Sequence, residues 1–180
     1  TSVTQKFLHH EWADGTVYIN PDQIANDKFG DWNSREAVLQ AANYCAEWRE
    51  QCLRDKVSFV FETVFSAEDK IDFLVRAKEA GFFIRVFFIS TSHPSINASR
   101  IAKRVMEGGH DVPIKKIISR YTKSIENCEI IARIGGRLYV YDNSVNDRDA
   151  QIQFRLTNGK LEKMYVDELP AWAKNIIPDQ

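Results

Sequence analysis

Short apolar runs alternate along the chain with longer stretches whose apolar residues recur every three or four positions. The runs predict β-strands, and the spaced stretches predict helices that bury one face. Two of the runs have almost no polar positions, which is typical of strands covered on both faces. Ser34 and Ser66 are expected to cap helices at their N-termini. The predicted strands are 16–20, 57–61, 82–89 and 137–141, and the predicted helices are 34–54, 66–80, 94–107 and 113–132.

Strands that alternate with helices predict an α/β fold, with a mostly parallel, doubly wound sheet and helices on both faces. The C-terminal part differs from this pattern. Residues 151–157 and 160–166 flank Asn158-Gly159, a dipeptide that strongly favours a β-hairpin turn. We therefore predict one domain over 1–180 with a C-terminal hairpin at about 150–166.

Composition narrows the class of protein. The chain has 180 residues, 44% hydrophobic, which suits a single folded domain. Its formal net charge of −1 argues against a protein whose whole surface binds nucleic acid. No apolar run is long enough to span a membrane, so no membrane partner is predicted. Three cysteines without a C-x-x-C spacing favour reduced thiols, and thus a cytoplasmic location.

Polar residues follow the predicted strands at the points where each strand ends. In a parallel sheet, ligands bind beyond these carboxyl ends. We therefore expect the functional residues of the protein to lie along one edge of the sheet. The segments concerned are 20–22, 62–63, 90–93 and 142–144.

Two carboxylates stand out among these residues. Asp22 could accept a proton from a substrate hydroxyl during phosphoryl transfer, although an aspartate after proline is also a common turn residue. Glu62 directly follows a buried strand. It could hold a substrate hydroxyl or, through water, a magnesium ion, and the alternative is a capping carboxylate or a surface ion pair. Thr63 is a plausible neighbour in either case.

The segment 100–123 concentrates positive charge. It holds seven lysines and arginines against two acids, and a glycine pair divides it at 108–109. Arginine side chains can donate hydrogen bonds to the oxygens of a transferred phosphoryl group. A glycine-containing joint would let two basic helices, at about 94–133, close over a substrate as a lid. A solvated helix face is the ordinary alternative, and RNA binding is a third for which aromatic residues are sparse.

Several of these segments resemble the zeta-toxin family of P-loop kinases. The resemblance covers about residues 1–144, and its most specific element is GGHDVP at 108–113. The matching segments are YINPDQIA at 18–25, FET at 61–63, RAKEAGF at 76–82, RVMEGGHDVP at 104–113, SRY at 119–121 and YDNS at 141–144.

The resemblance implies a kinase that uses ATP or GTP with Mg²⁺ to phosphorylate a small-molecule hydroxyl, such as one on a UDP-N-acetyl sugar. It also implies an antitoxin protein as a partner. Asp22 would be the general base, and Glu62 with Thr63 would bind the acceptor. Arg104 and Arg120 would meet the transferred phosphate. Nucleotide binding would fall to Thr1, Arg100, Asp142 and Asn143, with Thr1 also a ligand of the metal.

The family carries a strand and G-x-x-x-x-G-K-[ST] immediately before the position of Thr1, so such a loop is expected upstream. Val64 stands where many relatives have a second threonine. Two other functions remain open. One is a kinase that acts on a nucleotide or a nucleic-acid end, and the other is a non-catalytic module that binds a nucleotide or a partner.

Overall fold

The computed structural model describes residues 13–30, 34–109 and 111–179. Thr1 and His110, which belong to the predicted phosphate site and lid joint, lie outside these ranges. The described residues form a mixed α/β structure. The chain divides into two compact units, Thr1–Thr63 and Val64–Gln180. The prediction of a single doubly wound sheet is not established by these elements, because the sheets are small and one of them is mixed.

The first unit pairs two short parallel strands. Strand β1 places Ile19 opposite Phe61 of β2. The strands are joined by two helices that contact each other. The elements are β1 (Val17–Ile19), α1 (Pro21–Phe29), α2 (Arg35–Asp55) and β2 (Phe59–Phe61).

The core of the first unit lies on one face of this strand pair. Ile19 is fully buried and clusters with Ala41 and Cys45 of α2, while Phe59 and Phe61 pack against the cluster. Because side chains alternate along a strand, Tyr18 and Asn20 lie on the opposite face from Ile19. The strand pair therefore separates an apolar face from a polar one.

The second unit contains a four-stranded mixed sheet in the order β3-β4-β5-β6. Strands β3 and β4 are parallel, whereas β4–β5 and β5–β6 are antiparallel. The elements are α3 (Asp69–Glu79), β3 (Arg85–Ser90), α4 (Pro94–Met106), α5 (Ile114–Ile134), β4 (Arg137–Asp142), β5 (Gln151–Thr157), β6 (Lys160–Met164) and a 3₁₀ helix (Ala171–Ile176).

One face of this sheet carries the core of the second unit. Val140 and Phe154 are fully buried beside Cys128 of α5 and Ile176 of the 3₁₀ helix. Burial raises the pKa of the Cys128 thiol well above its ordinary value. This cysteine therefore behaves as a small apolar core residue.

Two local predictions change at the ends of elements, and a third is confirmed. Ser66 does not cap a helix, because α3 begins at Asp69 with Glu68 at its cap position. Strand β3 begins at Arg85 rather than at residue 82. Helix α3 does end as expected near Gly81, whose φ of 91° lies in the left-handed region.

The C-terminal hairpin is confirmed. Strands β5 and β6 pair antiparallel around Asn158 and Gly159, whose φ angles are 50° and 79°. Positive φ at both central residues is the geometry of the primed turns, which match the twist of the flanking strands. No helix within the described ranges is long and apolar enough to cross a membrane.

Gly159→Ala should destabilise this hairpin. An alanine side chain at a φ of 79° meets the steric cost of the left-handed region, roughly 1–2 kcal/mol. Urea unfolding of the full-length protein should therefore show a lower midpoint for the variant. The adjacent exposed Lys160→Ala is the matched control. Equal midpoints for the two variants would contradict the turn geometry.

Candidate functional site

The carboxyl ends of β1 and β2 bring together the polar side chains of the first unit. Ile19 pairs with Phe61, so the residues that follow them, Asn20 and Glu62, leave the strand pair side by side. Tyr18 lies two positions before Asn20 and shares its face. The result is a compact polar cluster at the strand ends.

The Glu62 carboxylate is held by two donors. The Tyr18 phenol donates a hydrogen bond to Glu62 Oε1. Asn20 Nδ2 donates to the same oxygen at 3.3 Å and to the Tyr18 hydroxyl oxygen at 2.8 Å. Within the described part of the chain, nothing donates a hydrogen bond to Glu62 Oε2, which leaves that oxygen open to a ligand.

The Tyr18 phenol keeps its proton over the whole physiological range. Burial is the main cause that raises the pKa of Tyr18 to about 12, and its hydrogen bond to Glu62 raises the pKa further because ionisation would break that bond. Tyr18 is therefore a permanent hydrogen-bond donor to Glu62 at neutral pH.

Asn20 also determines where Asp22 lies. Its Oδ1 accepts hydrogen bonds from the backbone N–H groups of Asp22, at 2.9 Å, and Gln23, at 3.2 Å. These two hydrogen bonds cap the N-terminus of α1. Pro21 occupies the first turn, where a backbone N–H would have no partner within the helix, so its missing N–H loses no hydrogen bond. Asp22 is consequently a first-turn helix residue, and the alternative that it belongs to a simple turn is wrong.

The Asp22 carboxylate is exposed. Among the residues that the structure describes, none forms a hydrogen bond or ion pair with this carboxylate. It differs in this respect from Glu62, which is half-buried and hydrogen-bonded. The cluster thus combines one anchored carboxylate with one that is available to a ligand.

A metal ion would need ligands from outside this cluster. The described ranges contain no group of three or more His, Cys, Asp or Glu side chains arranged to hold a metal. Mg²⁺ commonly binds one or two carboxylates together with substrate phosphates. Asp22 and Glu62 therefore fit Mg²⁺ only if phosphate oxygens complete the shell, and the predicted ligand Thr1 is not described.

The second unit has its own cluster at the carboxyl ends of β3 and β4. Asn143 N donates to Ser90 O at 2.7 Å, and Ser92 N donates to Ser144 Oγ at 2.7 Å. These bonds cross-link the two loops that follow the strands. The predicted nucleotide residue Asn143 thus lies at a strand exit, as expected.

Asp142 is engaged within the fold. Its Oδ1 accepts from Ser144 N at 2.9 Å, and its Oδ2 accepts from Trp172 Nε1 at 3.0 Å. The carboxylate therefore ties the end of β4 to the 3₁₀ helix. A role for Asp142 in nucleotide binding stays a prediction, and the geometry gives this residue a structural role already.

The predicted arginines differ in their surroundings. The Arg100 guanidinium donates to Asn146 Oδ1 at 3.0 and 3.1 Å, which ties α4 to the loop after β4. In contrast, Arg104 is exposed and Arg120 half-buried, and neither guanidinium forms a hydrogen bond or ion pair with a residue that the structure describes. Arg104 and Arg120 are therefore the arginines of this segment that can bind an anion without breaking existing bonds.

Tyr18 and Asn20 were not assigned roles from the sequence. The available signal was their two-residue spacing at the end of a strand, which places them on one face. Their link to Glu62 depends on the register between strands separated by about forty residues. Sequence reasoning found Asp22 and Glu62, and the structure added the two residues that join them.

Comparisons with known proteins place few limits on function. No family model and no solved structure matches the chain. A Haemophilus influenzae protein, described as an uncharacterized protein, is 28% identical over 105 residues, which cover 58% of this chain and 74% of that protein. That description names no activity.

Proposed function

We propose that this protein is a kinase of the zeta-toxin type, with a P-loop, doubly wound α/β architecture. It transfers the terminal phosphoryl group of ATP or GTP to a hydroxyl group of a small molecule. The observation that supports this proposal is the pair of carboxylates at the strand ends. Asp22 is available to a substrate, and Glu62 is held at the neighbouring strand end by Tyr18 and Asn20.

The two carboxylates take different roles in the proposed reaction. The acceptor hydroxyl oxygen forms a bond to the terminal phosphorus, and the bond from that phosphorus to the bridging oxygen breaks. The nucleoside diphosphate leaves, and the hydroxyl proton passes to Asp22. Glu62 offers Oε2 to a donor group of the acceptor, because Oε1 is already occupied.

Arginines of the basic segment 100–123 also take part in this proposal. Arg104 and Arg120 bind oxygens of the transferred phosphoryl group, where planar guanidinium donors neutralise the spreading charge. Arg100, Asp142 and Asn143 are assigned to the nucleotide. Mg²⁺, when bound, neutralises phosphate charge, with Thr1 as its expected protein ligand. A cytoplasmic location and an antitoxin partner belong to the same proposal.

An acceptor screen with the full-length protein and labelled ATP or GTP tests the proposal. The acceptors are UDP-N-acetyl sugars, nucleosides, nucleotides and oligonucleotides with free hydroxyl ends. We expect label to transfer to a small-molecule hydroxyl, with sugar nucleotides as the first choice.

Other outcomes of the screen separate the alternatives. Transfer only to nucleotides or oligonucleotide ends would support a kinase that acts on a nucleotide or a nucleic-acid end. Nucleotide binding without transfer to any acceptor would support a non-catalytic module. If neither binding nor transfer is detected, the kinase proposal is wrong.

A further inference from the structure

The Asn20 side chain uses both ends of its amide. Its Oδ1 caps α1 by accepting from Asp22 N and Gln23 N. Its Nδ2 donates to the Tyr18 hydroxyl oxygen at 2.8 Å and to Glu62 Oε1 at 3.3 Å. One side chain therefore joins the helix turn that carries Asp22 to the carboxylate of Glu62.

Tyr18 completes this arrangement. Its hydroxyl accepts from Asn20 and donates to Glu62 Oε1, so the phenol, the amide and the carboxylate each contact the other two. Tyr18 belongs to strand β1, whose backbone is paired with β2. Tyr18 is thus anchored in a paired strand, and Asn20 and Glu62 directly follow the two paired strands.

We propose that Tyr18 and Asn20 are positioning residues, which hold the Glu62 carboxylate at a defined place relative to Asp22 and thereby orient the acceptor hydroxyl. This inference rests on the proposed function. Neither residue is assigned to touch the transferred phosphate. Both act through Glu62, and Asn20 also acts through the first turn of α1.

The physical reason is the freedom of the glutamate side chain. Glutamate has three rotatable bonds, and without its donors the Glu62 carboxylate would occupy several rotamers. A misplacement of about 1 Å at a reacting centre can cost about 10² in rate. Because the Tyr18 phenol keeps its proton up to high pH, the restraint persists throughout the working range of the enzyme.

Steady-state kinetics of Tyr18→Phe and Asn20→Ser in the full-length protein test this proposal. Phenylalanine keeps the ring and removes the donor to Glu62. Serine keeps a capping oxygen for α1 but has no amide donor. We expect kcat/KM for the acceptor to fall by about 10- to 100-fold in each variant, while KM for the nucleotide stays within about twofold.

Two matched controls come from the same unit. Tyr44→Phe removes a phenol that accepts from Lys28 Nζ, and Ser34→Ala removes the N-cap of α2. Neither residue belongs to the cluster, so both controls should keep wild-type kinetics. If Tyr18→Phe and Asn20→Ser match the controls while the wild type is active, the positioning role is wrong and the kinase proposal stands. If the wild type phosphorylates no acceptor, both are wrong.

A titration of Tyr18 tests the contact without relying on activity. In protein labelled with ¹³C at the tyrosine ring, we expect Glu62→Gln to lower the pKa of Tyr18 from about 12, because the negative charge of the carboxylate disappears and a neutral amide oxygen is a weaker acceptor. Burial remains, so the pKa should stay above its ordinary value of about 10. The Tyr18 resonance is assigned by its loss in Tyr18→Phe. An unchanged pKa in Glu62→Gln would show that the phenol does not contact Glu62 and would overturn the inference.

Discussion

Asp22→Asn should lower phosphoryl transfer by about 10² to 10⁴ and leave nucleotide binding nearly unchanged. Asparagine keeps the shape of the side chain but cannot accept the proton of the acceptor hydroxyl. The change should not disturb α1, because Asp22 contributes its backbone N–H, and not its carboxylate, to the Asn20 cap. Single-turnover kinetics with the full-length protein measure the rate, and calorimetric titration measures nucleotide affinity.

Asp27→Asn is the matched control for this prediction. Asp27 is an exposed aspartate of the same helix, and its Oδ1 accepts only a local hydrogen bond from Asn26 Nδ2 within the described part of the chain. This variant changes the net charge equally without touching the strand-end cluster. Wild-type turnover by Asp22→Asn would show that Asp22 is not the base, whereas equal losses in both variants would point to a general charge effect.

Arg120→Ala is expected to reduce the transfer rate by about 10³ or more, with little change in folding stability. The first effect follows from the loss of charge stabilisation on the transferred phosphoryl group. The second follows from the surroundings of the side chain, whose guanidinium donates to no acceptor within the described ranges. A substitution that breaks no hydrogen bond or ion pair and leaves no buried cavity usually changes the free energy of unfolding by only about 0.5 kcal/mol.

Arg120→Lys gives a sharper test of the same role. Lysine keeps the positive charge but loses the planar fork that binds two phosphate oxygens, so most of the rate loss should remain. Arg104 is tested by the same pair of substitutions. Lys116→Ala is the control, because it removes an exposed positive charge of α5 with no assigned role.

The outcomes of this series separate the two interpretations of the basic segment. Small, equal effects of Arg120→Ala, Arg120→Lys and Lys116→Ala would identify a solvated helix face. The kinase proposal would then depend on Asp22 and Glu62 alone. Helix α4 has no buried side chain, which is compatible with a lid and with a solvated face, so kinetics must decide between them.

The elements with strong local signals were predictable. Ser34 caps α2, and the apolar spacing of residues 34–54 matches the observed helix Arg35–Asp55. The hairpin around Asn158 and Gly159 also appears as expected, because a primed turn requires residues that tolerate positive φ. These signals are local, so neighbouring residues suffice to produce them.

Weak local signals led to errors. Helix α1 was not predicted, since its nine residues have only two buried side chains, Ile24 and Ala25. The expected cap at Ser66 was wrong, because α3 begins three residues later, at Asp69. Serine tolerates loops as well as caps, so its presence alone does not locate a helix start.

The sequence by itself determined the alternation of helices and strands, the C-terminal hairpin and the presence of Asp22 and Glu62 after β1 and β2. Tertiary structure alone decided that Tyr18 and Asn20 would meet Glu62, that Asp142 would be bound by Trp172, and that the second sheet would be mixed. The physical reason is register. The alternation of apolar and polar side chains in a strand depends on adjacent residues. The partner strand and its alignment depend instead on packing between segments far apart in the chain.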